Sequence, residues 1–422
     1  MVPVFSSKLS ATIVLFAAGL AATLAPFASG AENWPRWRGP DGSGVSSETQ
    51  LPRQWSTTKN VRWKVEVPGN GSSSPIVWGE RLFITSALDE GARRLVHCLD
   101  RATGQTLWRR EIDDEWPEIT SALTGHAAAT PVTDGERVVA MFGNAGVVCY
   151  SLDGQQRWRR RFGEFESELG LASSPMLFED RVILVCDHDG TRFGSFDSFL
   201  IALDLKTGEE VWNTDRRGLF RSWSTPIIVP TAGGASELIV NAQEAVRGYD
   251  PRTGKELWRI DGMTGWVTPS PVFGHGLVFA ASGKDGPTLA LRPGGRGDVT
   301  GTHVAWQHDR GAPYVCSPLL YGDYLYVHNE HGVLTCFEAA TGAVRYRERL
   351  AGKFVASGIA AAGAIYITND EGLTYTIAAG PEYRLIATNT LEEEVLASPA
   401  VSDGCIFLRT QRRLYCVARA GD

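Results

Sequence analysis

Four short stretches hold residue types and spacings that could do chemistry. In HNEH (328–331), His328 and His331 are close enough in sequence to suggest a metal site. A turn at Glu330-His331-Gly332 should send the two rings apart, which makes them surface turn residues. In CDHDG (186–190) two carboxylates stand two residues apart, as at the start of a calcium loop. The residues that follow lack the remaining oxygen ligands calcium needs, so a strand end running into an Asp-rich turn is expected. DGSG (41–44) and PGGRGD (293–298) are glycine-rich, but neither lies between a strand and a helix, where phosphate is cradled. The eight histidines show no nucleophile–base spacing. Spacing therefore assigns no catalytic residue and no metal ligand.

A different grouping is more suggestive. His126, Arg221, Trp223, Trp266 and Tyr314 each stand shortly before a Ser-Pro or Thr-Pro pair. Brought around one opening, they could stack on and hydrogen-bond a planar or sugar-like ligand. The bland alternative is that they fill a wide channel and pack its loops.

Those Pro pairs recur along the chain: Ser74-Pro75, Thr130-Pro131, Ser174-Pro175, Thr225-Pro226, Ser270-Pro271, Ser317-Pro318 and Ser398-Pro399, with Ser357-Gly358 in the same series. Seven intervals separate Ser74 from Ser398, a mean period of about 46 residues, as in β-propeller blades of four antiparallel strands. A second element follows five of these markers: CLDRATGQTLW (98–108), ALDLKTGEEVW (202–212), GYDPRTGKELW (248–258), CFEAATGAVRY (336–346) and the shorter CYSLDGQQRW (149–158). Proline suits the start of an innermost strand, whose N–H has no ladder partner. The Thr-Gly pair closes the turn between third and fourth strands. The tryptophan then sits on the outer strand, wedged between sheets, where each indole buries about 200 Å² at roughly 25 cal/mol per Å². The eighth unit ends before its fourth strand, while VRWKVEVPG (61–69) is an unmatched outer strand with Trp63 in register. The expected architecture is all-β: eight four-stranded antiparallel blades, closed by the N-terminal strand completing the last one.

The ends and the composition bound the rest. Residues 1–30 read as a secretory signal peptide: Lys8 is the one charge, an apolar run spans about Leu9 to Leu24, and ASGA (28–31) offers a cleavage point. Residues 31–60 read as an arm laid over the propeller of 61–422. In NWPRWRGP its tryptophans are expected to pack and its arginines to bond loop carbonyls. A formal charge of −7 without any basic run argues against a nucleic-acid partner. Four of the seven cysteines (Cys98, Cys149, Cys336, Cys416) share one repeat position, held by Ala202, Gly248 and Ala290 in other copies. That is the signature of a small, buried packing position. It puts these four in different repeats, so free thiols are expected, with one disulfide among the rest left open.

The Ser-Pro series and the LDxxTGxxxW units resemble the PQQ-like β-propeller repeat family, the quinoprotein alcohol dehydrogenase-like family, over nearly all of the chain. NWPRWRGPDGSG (33–44) and GPEYRLIATN (380–389) resemble a bacterial exported subgroup of it. The resemblance implies two functions on one fold. Its dehydrogenases bind pyrroloquinoline quinone with calcium and cover it with a disulfide between adjacent cysteines. Its BamB-like branch is non-enzymatic. This chain has no adjacent cysteine pair, and at about 390 residues after the signal it lacks long insertions. The expectation is an exported, non-enzymatic scaffold, soluble after signal cleavage and monomeric, without a cofactor, offering its channel mouth to an envelope protein or small ligand. A quinoprotein oxidoreductase is the alternative.

Overall fold

The computed structural model describes residues 1–3, 32–114, 117–164, 169–187, 198–219 and 222–419. The expected signal segment falls almost wholly outside them. Residues 31–422 form one compact unit.

Eight sheets stand around one axis. Blade 1 runs outward from Ile76–Trp78 through Arg81–Leu88 and Arg93–Asp100 to Thr106–Asp113, all antiparallel. Blades 2 to 7 repeat this order behind the innermost strands Val132–Thr133, Met176–Phe178, Ile227–Pro230, Val272–Gly274, Leu319–Tyr321 and Ile359–Ala361. Blade 8 takes Ala400–Ser402, Cys405–Arg409 and Arg413–Val417 from the C-terminus and its outer strand, Val61–Glu66, from near the start. Val65 lies opposite Leu414 and Glu66 opposite Arg413. The closure expected from the sequence is thus present, and it leaves blade 8 with no missing edge.

The burial pattern explains each strand's composition. Middle strands such as Val333–Glu338 are buried on both faces and read as near-continuous apolar runs. Outer strands alternate, as in Val61–Glu66, where every second residue is exposed. One sheet departs from four strands. In blade 4 a short strand, Gly297–Asp298, adds in parallel to the outer strand Glu256–Asp261. It comes from the PGGRGD stretch of blade 5, which replaces the usual Thr-Gly turn and carries the helical turn Thr300–His303.

The repeated Thr-Gly and Trp are joined by a contact between blades. Trp63, Trp108, Trp158, Trp212 and Trp306 each donate their indole N–H to a carbonyl in the next blade's turn: Arg101, Leu152, Leu205, Pro251 and Ala339, at 2.8–3.2 Å. The turn glycine of that next blade lies flat on the indole. A Cβ at Gly104, Gly154, Gly208, Gly254 or Gly342 would sit 2.4–2.8 Å from the ring. Positive φ is therefore half the reason for glycine there, and ring contact is the other half. Trp258 is the exception, because blade 5 has no such turn. Its N–H goes to Glu237 at 2.8 Å.

The small repeat position is explained by the same ring. Cys98, Cys149, Ala202, Gly248, Ala290 and Cys416 lie directly opposite Trp108, Trp158, Trp212, Trp258, Trp306 and Trp63. Each indole folds over its cross-strand neighbour, which leaves room for little beyond a thiol. All seven cysteines are buried and free.

Candidate binding face at the channel mouth

The Ser/Thr-Pro residues and Ser357 form a girdle of seven hydrogen bonds that runs around the channel from blade 1 to blade 8. The Ser74 amide donates to Thr130 Oγ1, the Thr130 amide to Ser174 Oγ, and so on through Thr225, Ser270, Ser317 and Ser357 to Ser398 Oγ, at 2.7–3.0 Å. Proline next in sequence holds all of these residues but Ser357, which Gly358 follows, in an extended conformation, so the N–H leaves the sheet and meets the neighbouring blade's hydroxyl. Spacing had marked these residues only as strand starts.

Inside the girdle lies a cavity of about 120 Å³. That is near the volume, about 150 Å³, known to hold one benzene-sized ring. Its walls are girdle hydroxyls, Leu123, Leu169, Val315, Val355 and Leu396, with Trp37, Trp223 and Tyr314. Among the described residues no charged side chain lines it.

The N-terminal arm brings Trp37 to this cavity by running across the innermost strands. Trp34 exchanges both backbone hydrogen bonds with Val77 of blade 1 at 2.8 Å, and Pro35 O accepts from Thr133 of blade 2 at 2.9 Å. Gly44 and Ser46 bond Ala360 of blade 7 at 2.9 Å. Between them Arg38 is fully buried and donates through Nη2 to Ser43 O at 2.8 Å and Pro318 O at 2.7 Å. Burial pulls its pKa down to about 10, still charged at neutral pH. Trp34 is fully buried, and Trp55 stacks on Tyr366 with centroids 6.3 Å apart.

At the mouth, the structure gathers three of the five residues singled out from the sequence. Trp223 and Trp266 stack at 5.9 Å with planes 22° apart, and Tyr314 meets Trp266 edge-on at 6.5 Å. Trp223 is anchored by its N–H to Gly170 O at 2.8 Å. Spacing missed a fourth member. Lys284 Nζ lies 3.6 Å from the Trp266 ring centroid and 5.3 Å from that of Tyr314, a cation–π arrangement. The turn GKDG (283–286) carries it and is tied to the segment bearing Tyr314. Asp285 N donates to Ala312 O at 3.2 Å, and Gly311 N to Asp285 Oδ1 at 2.9 Å.

His126 is not part of this group. Its Nε2 pairs with Glu118 O at 2.9 Å, and its ring packs against Gly91. Nearby, Arg94 is fully buried and paired with Glu118 at 2.9 Å and Asp114 at 3.5 Å. Arg221 lies outside the described residues. His328, expected on a surface turn, is instead buried at a strand end, with Nε2 3.2 Å from Ala356 O and its ring edge-on to Phe354. His331 is exposed beside Glu330 at 3.7 Å, so the two histidines share no site. Asp187 is buried and holds Arg216 through two bonds of 2.7 and 2.8 Å. Residues 188–190 of that motif lie outside the described residues.

The donor set at the channel does not fit a calcium-bound quinone. Calcium needs six or more oxygen ligands with carboxylates among them. Among the described residues no carboxylate lines the cavity, and no cluster of three His, Cys, Asp or Glu side chains could hold a metal.

The fold and this channel define a PQQ-like repeat propeller. The family whose model is described as outer membrane protein assembly factor BamB matches residues 92–345 and 296–393, and the chain belongs to that family. The chain is 22% identical over 270 residues to a polyvinylalcohol dehydrogenase from a Pseudomonas species, covering 54% of this chain and 40% of the relative. It is 27% identical over 140 residues to the BamB of Marinobacter adhaerens, covering 33% of this chain and 32% of that protein. It thus spans less than half the length of these curated relatives. BamB from Moraxella catarrhalis superposes with a TM-score of 0.63 at 12% identity, over 86% of this chain and 98% of that one. The quinohemoprotein alcohol dehydrogenase of Comamonas testosteroni gives 0.68 at 11%, over 92% and 81%. These likenesses speak for the fold. Among the described residues no helix is long and apolar enough to cross a membrane.

Proposed function

We propose that this chain is an exported, non-enzymatic propeller that presents its channel mouth as a rigid docking face for a protein of the cell envelope. The observation that carries the reading is the character of that mouth: aromatic and largely apolar, with no carboxylate among the described residues that line the cavity. Beside the stacked Trp223 and Trp266, the loop at 117–125 holds Ile119 62% exposed and Leu123 39% exposed. Large apolar side chains left in water at a preformed aromatic face are the usual mark of a contact surface. The arm over the inner strands and the hydroxyl girdle make the face stiff, which lowers the ordering cost of binding.

The dehydrogenase relatives favour a second reading, a quinone-dependent oxidoreductase. One experiment separates the two. The purified protein is dialysed against pyrroloquinoline quinone and calcium, and retained quinone absorbance and alcohol-dependent dye reduction are measured. In parallel, a photo-cross-linker is placed at Ile119 and, as a control, at the outer-strand residue Leu385, in cells. The docking reading expects no retained quinone and a discrete cross-link from position 119 alone. Stoichiometric quinone with turnover would overturn it.

A further inference from the structure

Of the seven cysteines, two share a hairpin. Cys405 opens the second strand of blade 8 and Cys416 lies on the third, where it faces Phe407. Side chains two apart on a strand point the same way, so Cys405 and Cys416 are diagonal neighbours on one face. Both belong to the same buried cluster. The closing strand supplies a third group: Arg62 Nη1 lies 3.3 Å from Cys405 Sγ. The other five cysteines are spread over other blades and loops.

We propose that Cys405 and Cys416 are a dithiol that closes to a disulfide by exchange with a small disulfide such as oxidised glutathione. Cys405 attacks one glutathione sulfur and releases one glutathione thiol. Cys416 then displaces the second glutathione and closes the Cys405–Cys416 bond. Two protein S–H bonds and one glutathione S–S bond are broken. The two protons and two electrons leave on the two glutathione thiols. Because Trp63 and Arg62 cover the pair in the closed ring, exchange belongs to the hairpin before the Val61–Glu66 strand docks.

The reduced, unfolded protein is refolded in a mixture of reduced and oxidised glutathione, then denatured, alkylated and digested. The expected result is five alkylated cysteines and one linked peptide pair containing 405 and 416. Cys416→Ala, which installs the residue found at this position in blades 3 and 5, should leave all six remaining cysteines alkylated. Seven alkylated cysteines in the unsubstituted protein, or a bridge to any other cysteine, overturns the proposal.

Discussion

The indole N–H of Trp108 donates to the carbonyl of Leu152 in the next blade at 2.9 Å, and Gly154 of the same turn lies against the ring. Blade 1 is thereby fastened to blade 2 through residues of two repeats. Replacing Gly154 with alanine strains a residue at φ +84° and drives a Cβ to 2.8 Å from the indole. Trp108→Ala should lower unfolding free energy by about 3–5 kcal/mol, read from urea titrations. Gly154→Ala should lose a substantial part of the same stability. In the double variant the losses should fall short of their sum, since the two residues share one contact.

The arm is held by Arg38. Arg38→Ala removes two buried hydrogen bonds and a fully buried side chain, a loss of about 1–3 kcal/mol. Hydrogen exchange should show the effect locally. The amides of Ser46 and Ala360, which join arm to blade 7, should lose protection before those of the outer strands.

Stability should fall in mild acid. Burial and the nearby Arg409 push His97 down to about 3, and burial pushes His328 down to about 4. Both folded values lie below the unfolded value of about 6.5, so the unfolded chain binds protons first. The histidines' contribution is complete above pH 6.5 and shrinks as pH drops toward 4. By pH 5 the loss is about 2 kcal/mol for each. Urea midpoints of the His97→Gln, His328→Gln double variant should depend less on pH over this window.

At the mouth, Lys284→Ala should leave the fold intact, because the side chain is exposed and its contacts among the described residues are with the Trp266 and Tyr314 rings. It should change the fluorescence of the Trp266 stack and weaken the docking face without shifting the thermal midpoint by more than a degree or so.

Blade number and ring closure were legible from two signals, the Ser/Thr-Pro residues and the TG…W elements, because each marks a fixed point of a repeating sheet. The reason the glycine and the tryptophan occur together was not legible. They meet across blades, so the partners of Trp63 are Arg101 and Gly104, some forty residues away. The hydroxyl girdle was hidden in the same way: Ser74 bonds Thr130 only once the blades stand side by side. At the mouth, Trp223, Trp266 and Tyr314 could be grouped because all precede a marker. Lys284 precedes none and enters on a turn from the body of blade 5. His126 precedes a marker yet turns toward Glu118, since a local carbonyl satisfies its ring.

Mouth, arm and hairpin all depend on the strand Val61–Glu66 lying beside Arg413–Val417. Native-state hydrogen exchange resolved at residues 61–66 tests this directly. Slow exchange of the amides that bond into blade 8, lost only with global unfolding, is the predicted result. Exchange at the rate of an unstructured peptide would mean that the ring is open and that the channel drawn from it does not exist.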